Sequence, residues 1–217
     1  MKISIRTSRR IEDARNILVR GTNWIGDVIM TLPAMAAIRR AFPGARISVL
    51  AKPWVADIFS LCSDVDEVIL YRSPGVHAGV GGILRLAGEL REKKFDAAIL
   101  LQNAIEAAII SFLAGIPVRA GYNSDGRGPL LTHSVKRTRA VRRIHQVDYY
   151  LEVVKTLGCV DGSRELHLTL TRADQNRTDE ILRSYGIDPD AFLVGIAPGA
   201  TFGAAKKWFP DRFAAVA

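Results

Sequence analysis

Short apolar runs alternate along this chain with stretches whose apolar residues fall three and four apart. The runs at residues 17–20, 46–51, 67–71, 95–101 and 118–121 have strand length and are rich in Val, Ile and Leu. Between them, Val28, Leu32, Met35 and Ala36 fall on one helical face, as do Ile83, Leu86 and Leu90, and residues 55–61 and 105–113 also read as helices. Strands separated by helices need crossovers, and crossovers give a parallel sheet covered on both faces. The pattern therefore predicts a doubly wound α/β domain, in which ligands bind beyond the carboxyl ends of the strands. Pro33 interrupts the first helical stretch, so a kink or a new helix start is expected there.

Further along, residues 145–157 and 173–185 read as helices, the first closed by Gly158. An apolar run at 192–197 then predicts a new strand, followed by the glycine-containing "PGATFGAAKKWFP" and a helix start at Pro210. This repeats the opening of the chain: strand, glycine loop, helix. The predicted organisation is an N-terminal extension at 1–15, a Rossmann-like domain at 16–160, a linker and helix at 161–190, and the start of a second Rossmann-like domain at 191–217. The last helix has room for barely two turns, so the chain is expected to be incomplete at its C-terminus.

The first loop, "RGTNWIGDVIMTLP" over residues 20–33, has two glycines five apart. A phosphate-cradling Walker loop shares that spacing but continues with Lys and then Ser or Thr. Here Gly26 precedes Asp27, whose carboxylate repels phosphate but can take a proton from an attacking hydroxyl. Asp27 is thus a candidate general base, and equally a plain helix-dipole residue. GxGxxG is absent, and the second strand ends at Ala51-Lys52 with no acid to hold a ribose, which argues against a dinucleotide site. The second loop has the opposite character. Gly199 and its neighbours offer backbone amides, Thr201 a hydroxyl, and Lys206 and Lys207 positive charge before a helix, a combination that suits a diphosphate.

Composition narrows the function classes. Of the 217 residues, 48% are hydrophobic and 24% charged, the balance of a globular protein with a sizeable core. No run approaches the roughly 18 apolar residues of a membrane span, and the basic first residues lead into no secretory signal, so a cytoplasmic location is expected. Cys62 and Cys159 lie far apart without CxxC spacing, and are expected as buried thiols rather than a disulfide or zinc ligands. His77, His133 and His167 have no metal-ligand spacing, so no metal is expected. The net charge of +8 is concentrated between Arg119 and Arg143, where seven Arg and Lys face Asp125 alone. Such a segment can meet a phosphorylated substrate or an anionic membrane surface, or only solvate the protein. With Tyr122 its single aromatic, it has no stacking array for nucleic acid. His145 and Asp148, three apart, can orient one another, or serve as an ordinary helix start and a surface acid. Trp24 can stack on a sugar or cover the core.

Taken together, "ILVRGTNWIGDVIMTLPAMAAIRRAFPGARISVLA" and "APGATFGAAKKWFP" resemble the ADP-heptose:lipopolysaccharide heptosyltransferases of glycosyltransferase family 9, and within it the type II enzymes that add the second inner-core heptose. The resemblance covers residues 16 to 217. It implies a GT-B architecture and a metal-independent, inverting transfer of heptose from ADP-heptose to the heptose/Kdo-lipid A inner core of lipopolysaccharide, with no cofactor. Carried onto this sequence, it implies Asp27 as base and Lys206, Thr201 and Gly199 as donor-phosphate ligands, whereas Lys207 falls where the family varies. Gly26, Asn23, Trp24, Arg127, Arg143 and His145 are the implied acceptor side. The basic segment would face the anionic acceptor at the cytoplasmic face of the inner membrane, in peripheral contact and without nucleic acid. The family's remaining donor-binding groups would lie beyond Ala217, so the fragment alone is expected to turn over slowly or not at all. The rival expectations are a non-catalytic glycolipid-binding α/β domain and a family 9 relative using another sugar.

Overall fold

In the computed structural model, residues 11–159, 163–200 and 206–217 are described. They divide into two compact units, Met1–Thr169 and Leu170–Ala217.

The first unit is built on six parallel strands: β1 (Asn16–Arg20), β2 (Arg46–Ala51), β3 (Glu67–Leu70), β4 (Ala97–Leu100), β5 (Val118–Tyr122) and β6 (His133–Val135), in the order β3-β2-β1-β4-β5-β6. The central strands are buried on both faces because their side chains alternate between two cores. Ile17 and Val19 of β1 point into one, Leu18 into the other. The first core is closed by α1 (Ile25–Ala41), α2 (Pro53–Ser60) and α5 (Gln146–Lys155), through Val28, Leu32, Met35, Phe59 and Val153. The second is closed by α3 (Gly79–Glu92) and α4 (Ile105–Leu113), through Leu86, Leu90 and Ile110. Cys62 and Cys159 are both buried free thiols. Ile11 and Ala14, within the stretch read as an extension, are buried in the first core.

Two expectations meet the structure here. Of the kink or new helix start expected at Pro33, the new start is absent: helix α1 runs through that residue. Proline removes one backbone donor, but the residues from Val28 to Ile38 are largely buried, and their packing holds the segment helical across the missing bond. The strand expected at 192–197 is not formed. A strand needs a neighbour to take its amides and carbonyls; among the described residues of the second unit there is none, and Phe192 is 94% exposed. That unit holds α6 (Arg172–Ser184) and α7 (Pro210–Val216). Thr171 and Asp174 cap α6 reciprocally, and Trp208 meets Phe213 edge-on.

The open edge of the sheet is tied down by carboxylates. Asp66 accepts from the Ile47 amide at 2.7 Å and from Arg39 at 2.5 Å. Glu67 pairs with Lys93 at 2.5 Å and accepts from the Ser48 hydroxyl at 3.1 Å. Lys93 is the main reason the Glu67 carboxyl lies below its ordinary value. At Asp66, burial alone would raise the value, and the Ile47 amide and Arg39 more than reverse it. Both groups therefore bind protons less readily folded than unfolded. Their stabilisation is present above the unfolded values and lost as pH falls through the folded ones. The expected result is a urea midpoint that declines as pH drops from about 5 to about 3, with a shallower decline in Glu67→Gln. An unchanged slope in that variant would remove Glu67 from the account.

Candidate functional site

In this strand order the chain reverses direction of growth between β1 and β4, which places a crevice between the loops that leave their carboxyl ends. A cleft of about 220 Å³ lies there, lined by Thr22, Asn23 and Trp24 after β1, Asp27 in α1, Leu101, Gln102 and Asn103 after β4, and Gln146 and Tyr150 of α5.

Asp27 occupies the first turn of α1 and is half-buried. The Tyr150 phenol lines the cleft with Asp27 and is held protonated well above the ordinary tyrosine value, chiefly by burial, with the charge of Asp27 adding to it. The two glycines of the loop differ in their reasons. A Cβ on Gly21 would lie 2.8 Å from the Phe59 ring, so packing demands glycine there. A Cβ on Gly26 would meet nothing within 4 Å. Inside a helix glycine costs about 1 kcal/mol relative to alanine. The fold does not require Gly26, and the space beside its backbone is open.

Two buried arginines lie behind the loops. Arg20, 1% exposed, donates to the carbonyls of Gly21 at 2.5 Å and Leu50 at 3.2 Å, and to Asn23 Oδ1 at 3.0 Å. Arg127, 0% exposed, donates to the carbonyls of Tyr122 at 2.6 Å and Gln102, and to Asn103 Oδ1 at 3.3 Å. Burial lowers each guanidinium to about 10, which leaves both charged at neutral pH. The expectation that Arg127 meets the acceptor is corrected by this geometry. Each of its three nitrogens donates to the protein, and it braces the β4 loop. Arg119 is likewise turned inward, donating to Leu130 and Ile116 carbonyls. The exposed cations of the basic segment are Lys136, Arg137, Arg139, Arg142 and Arg143, between β6 and α5.

His145 is exposed, and its Nδ1 accepts from the Val147 amide at 3.3 Å as the cap of α5, next to cleft residue Gln146. Asp148 does not serve it, because both its oxygens are taken by Arg164 at 3.0 and 2.6 Å. Trp24, 50% exposed, precedes α1 on the cleft wall. Gly199 and Lys206 are exposed in the second unit, and Thr201 lies outside the described residues. The structure therefore gathers Asn23, Trp24 and Asp27 around one cleft, whereas Gly26 is exposed and is not among its lining residues. Gln102, Asn103, Gln146 and Tyr150 were not anticipated. They join the site through strand order and helix placement, and the signal that reaches them is the switch-point rule once β4 is set beside β1.

Comparison with known proteins bears on this site. The model of glycosyltransferase family 9 (heptosyltransferase) matches residues 83–217. Lipopolysaccharide heptosyltransferase 2 of Salmonella typhimurium is 28% identical over 205 residues, 93% of this chain and 59% of that protein. A solved structure of the E. coli ADP-heptose LPS heptosyltransferase II superposes with a TM-score of 0.73 at 26% identity, over 89% of this chain and 57% of that one. A family 9 glycosyltransferase from Veillonella parvula shares the fold with a TM-score of 0.81 at 24% identity, over 93% of this chain and 58% of that one. The chain spans somewhat under three-fifths of the length of these relatives. Its α/β fold matches GT-B structures of the family. Sequence and fold agree on one assignment: the chain belongs to glycosyltransferase family 9, the heptosyltransferases.

Proposed function

We propose that the protein transfers heptose from ADP-heptose to a hydroxyl of the lipopolysaccharide inner core, with inversion at the anomeric carbon. The observation that carries the proposal is the Asp27 carboxylate, beside Tyr150 on the switch-point cleft of a family 9 chain. Asp27 takes the proton of the acceptor hydroxyl as its oxygen attacks the anomeric carbon. The bond to the diphosphate breaks on the opposite face, and ADP leaves with the electron pair. Lys206, with the amides around Gly199 and the Thr201 hydroxyl, neutralises the charge that grows on that leaving group. No metal or cofactor enters this scheme. Trp24 and the exposed cations at 136–143 are proposed to receive the sugar and the anionic groups of the acceptor, with the protein in peripheral contact with the cytoplasmic face of the inner membrane. No helix among the described residues is long and apolar enough to cross a membrane.

The test is a transfer assay on the full-length protein with ADP-heptose and inner-core oligosaccharide, reading the gain of one heptose by mass. In the same assay Lys206→Ala is expected to raise the donor KM and lower the rate, together about 10- to 100-fold in kcat/KM, as for a lost charge-assisted contact. If both constants stay at wild-type values, the diphosphate is held by other groups.

A further inference from the structure

The two loops flanking the cleft share a construction. Each is pinned by a buried arginine that donates to two main-chain carbonyls and to the Oδ1 of an asparagine in the loop: Arg20 to Asn23, Arg127 to Asn103. An arginine can only donate, so it dictates which end of each amide faces it. The oxygen turns to the guanidinium and the NH2 group turns away. Asn103 shows the result, since its Nδ2 donates to the Tyr149 hydroxyl at 2.8 Å. Asn23 is held further by its own carbonyl, which accepts from Trp54 Nε1 at 2.7 Å. Asn23 lines the cleft with Asp27, and among the described residues lining that cleft there is no Lys, Arg or His. Among its polar groups the cleft therefore offers the Asp27 carboxylate, which accepts, and the Asn23 amide, whose polarity is locked as a donor.

We infer that Arg20 is a positioning residue that fixes Asn23 as a hydrogen-bond donor to the reacting end of the acceptor, so that the cleft takes an uncharged, hydroxyl-bearing sugar and leaves the acceptor's anionic groups outside. This rests on the transfer reading above. A hydroxyl oxygen that gives its proton to Asp27 keeps lone pairs for the Asn23 NH2 group, and the pair of contacts sets its direction of attack. A phosphate or carboxylate in the same place would face Asp27 with no cation among the lining residues.

The discriminating variant is Asn23→Asp in the full-length protein. It keeps the shape and the oxygen that Arg20 holds, so a purely structural role leaves both the thermal midpoint and transfer intact. The inference expects the midpoint to be kept or raised, while the acceptor KM rises and kcat/KM falls about tenfold or more. Rates are read from about pH 6 to 9, because a new carboxylate near Asp27 can also shift the acid limb of the profile. Loss of a donor persists on the high-pH plateau, whereas a shifted limb recovers there. Plateau kcat/KM within about threefold of wild type overturns the inference. Asp27→Asn on the same substrates separates the two readings. An inactive Asp27→Asn beside a normal Asn23→Asp refutes the donor role alone. A wild-type protein that transfers no heptose to the oligosaccharide refutes the transfer reading and this inference together.

Discussion

Asp27→Asn is expected to lower the transfer rate about 10²- to 10⁴-fold, the range for removal of a general base. The substitution is close to isosteric, so the fold around the first turn of α1 should be kept. What is lost is a group able to carry a proton at the moment the acceptor oxygen attacks. The effect should therefore fall on kcat, with acceptor and donor KM changing little. Single-turnover rates of the full-length protein, set beside the thermal midpoint, provide the check. A variant with near wild-type turnover would remove Asp27 from the chemistry and leave it as a helix-dipole residue.

The second large effect is expected from Arg127→Met, and it is one of stability. Methionine fills much of the same space but cannot donate, so the carbonyls of Tyr122 and Gln102 and the Asn103 oxygen lose their partner. Each buried acceptor left unpaired costs about 1–3 kcal/mol, partly offset because the charged guanidinium no longer has to be desolvated. The net loss is expected on the order of 3 kcal/mol, read as a lower urea midpoint of the first unit. Lysine should rescue little, because a single ammonium cannot span the three acceptors that the planar fork reaches. Arg143→Ala, on an exposed turn, serves as the control and should leave the midpoint near that of wild type. A midpoint unchanged in Arg127→Met would show that the β4 loop is held without its brace.

Much of the first unit was legible from the chain because its strands are continuous apolar runs of the length a twice-covered parallel sheet needs, and the predicted bounds at 46–51 coincide with Arg46–Ala51. β6 was not, since His133–Val135 is three residues long and only one of them is apolar. The strand expected at 192–197 failed for the opposite reason. Its composition suits a strand, but composition cannot supply the neighbour that would pair with it. At the site, Asp27 was visible as a local departure from a phosphate-loop pattern. Arg127 was misread because charge in a sequence carries no direction. Seven cations in one segment looked like a single surface, yet Arg119 and Arg127 turn inward to main-chain carbonyls. Tyr150, Gln102 and Asn103 come from segments far from Asp27 in the chain, and local pattern does not bring them together.

The order of the strands also sets a timetable for synthesis. β1 can pair with β2 as soon as Arg46–Ala51 has left the ribosome, but its other neighbour is β4, where Ile17 meets Ala97. Until then the central strand of the finished sheet is an edge, with unpaired backbone groups along one side. The walls around Asp27 arrive later still, because Gln146 and Tyr150 follow β4 by a further stretch of chain. The pocket is thus among the last parts of the first unit to be assembled, and a nascent chain stalled short of α5 would carry the proposed base in an open half-cleft.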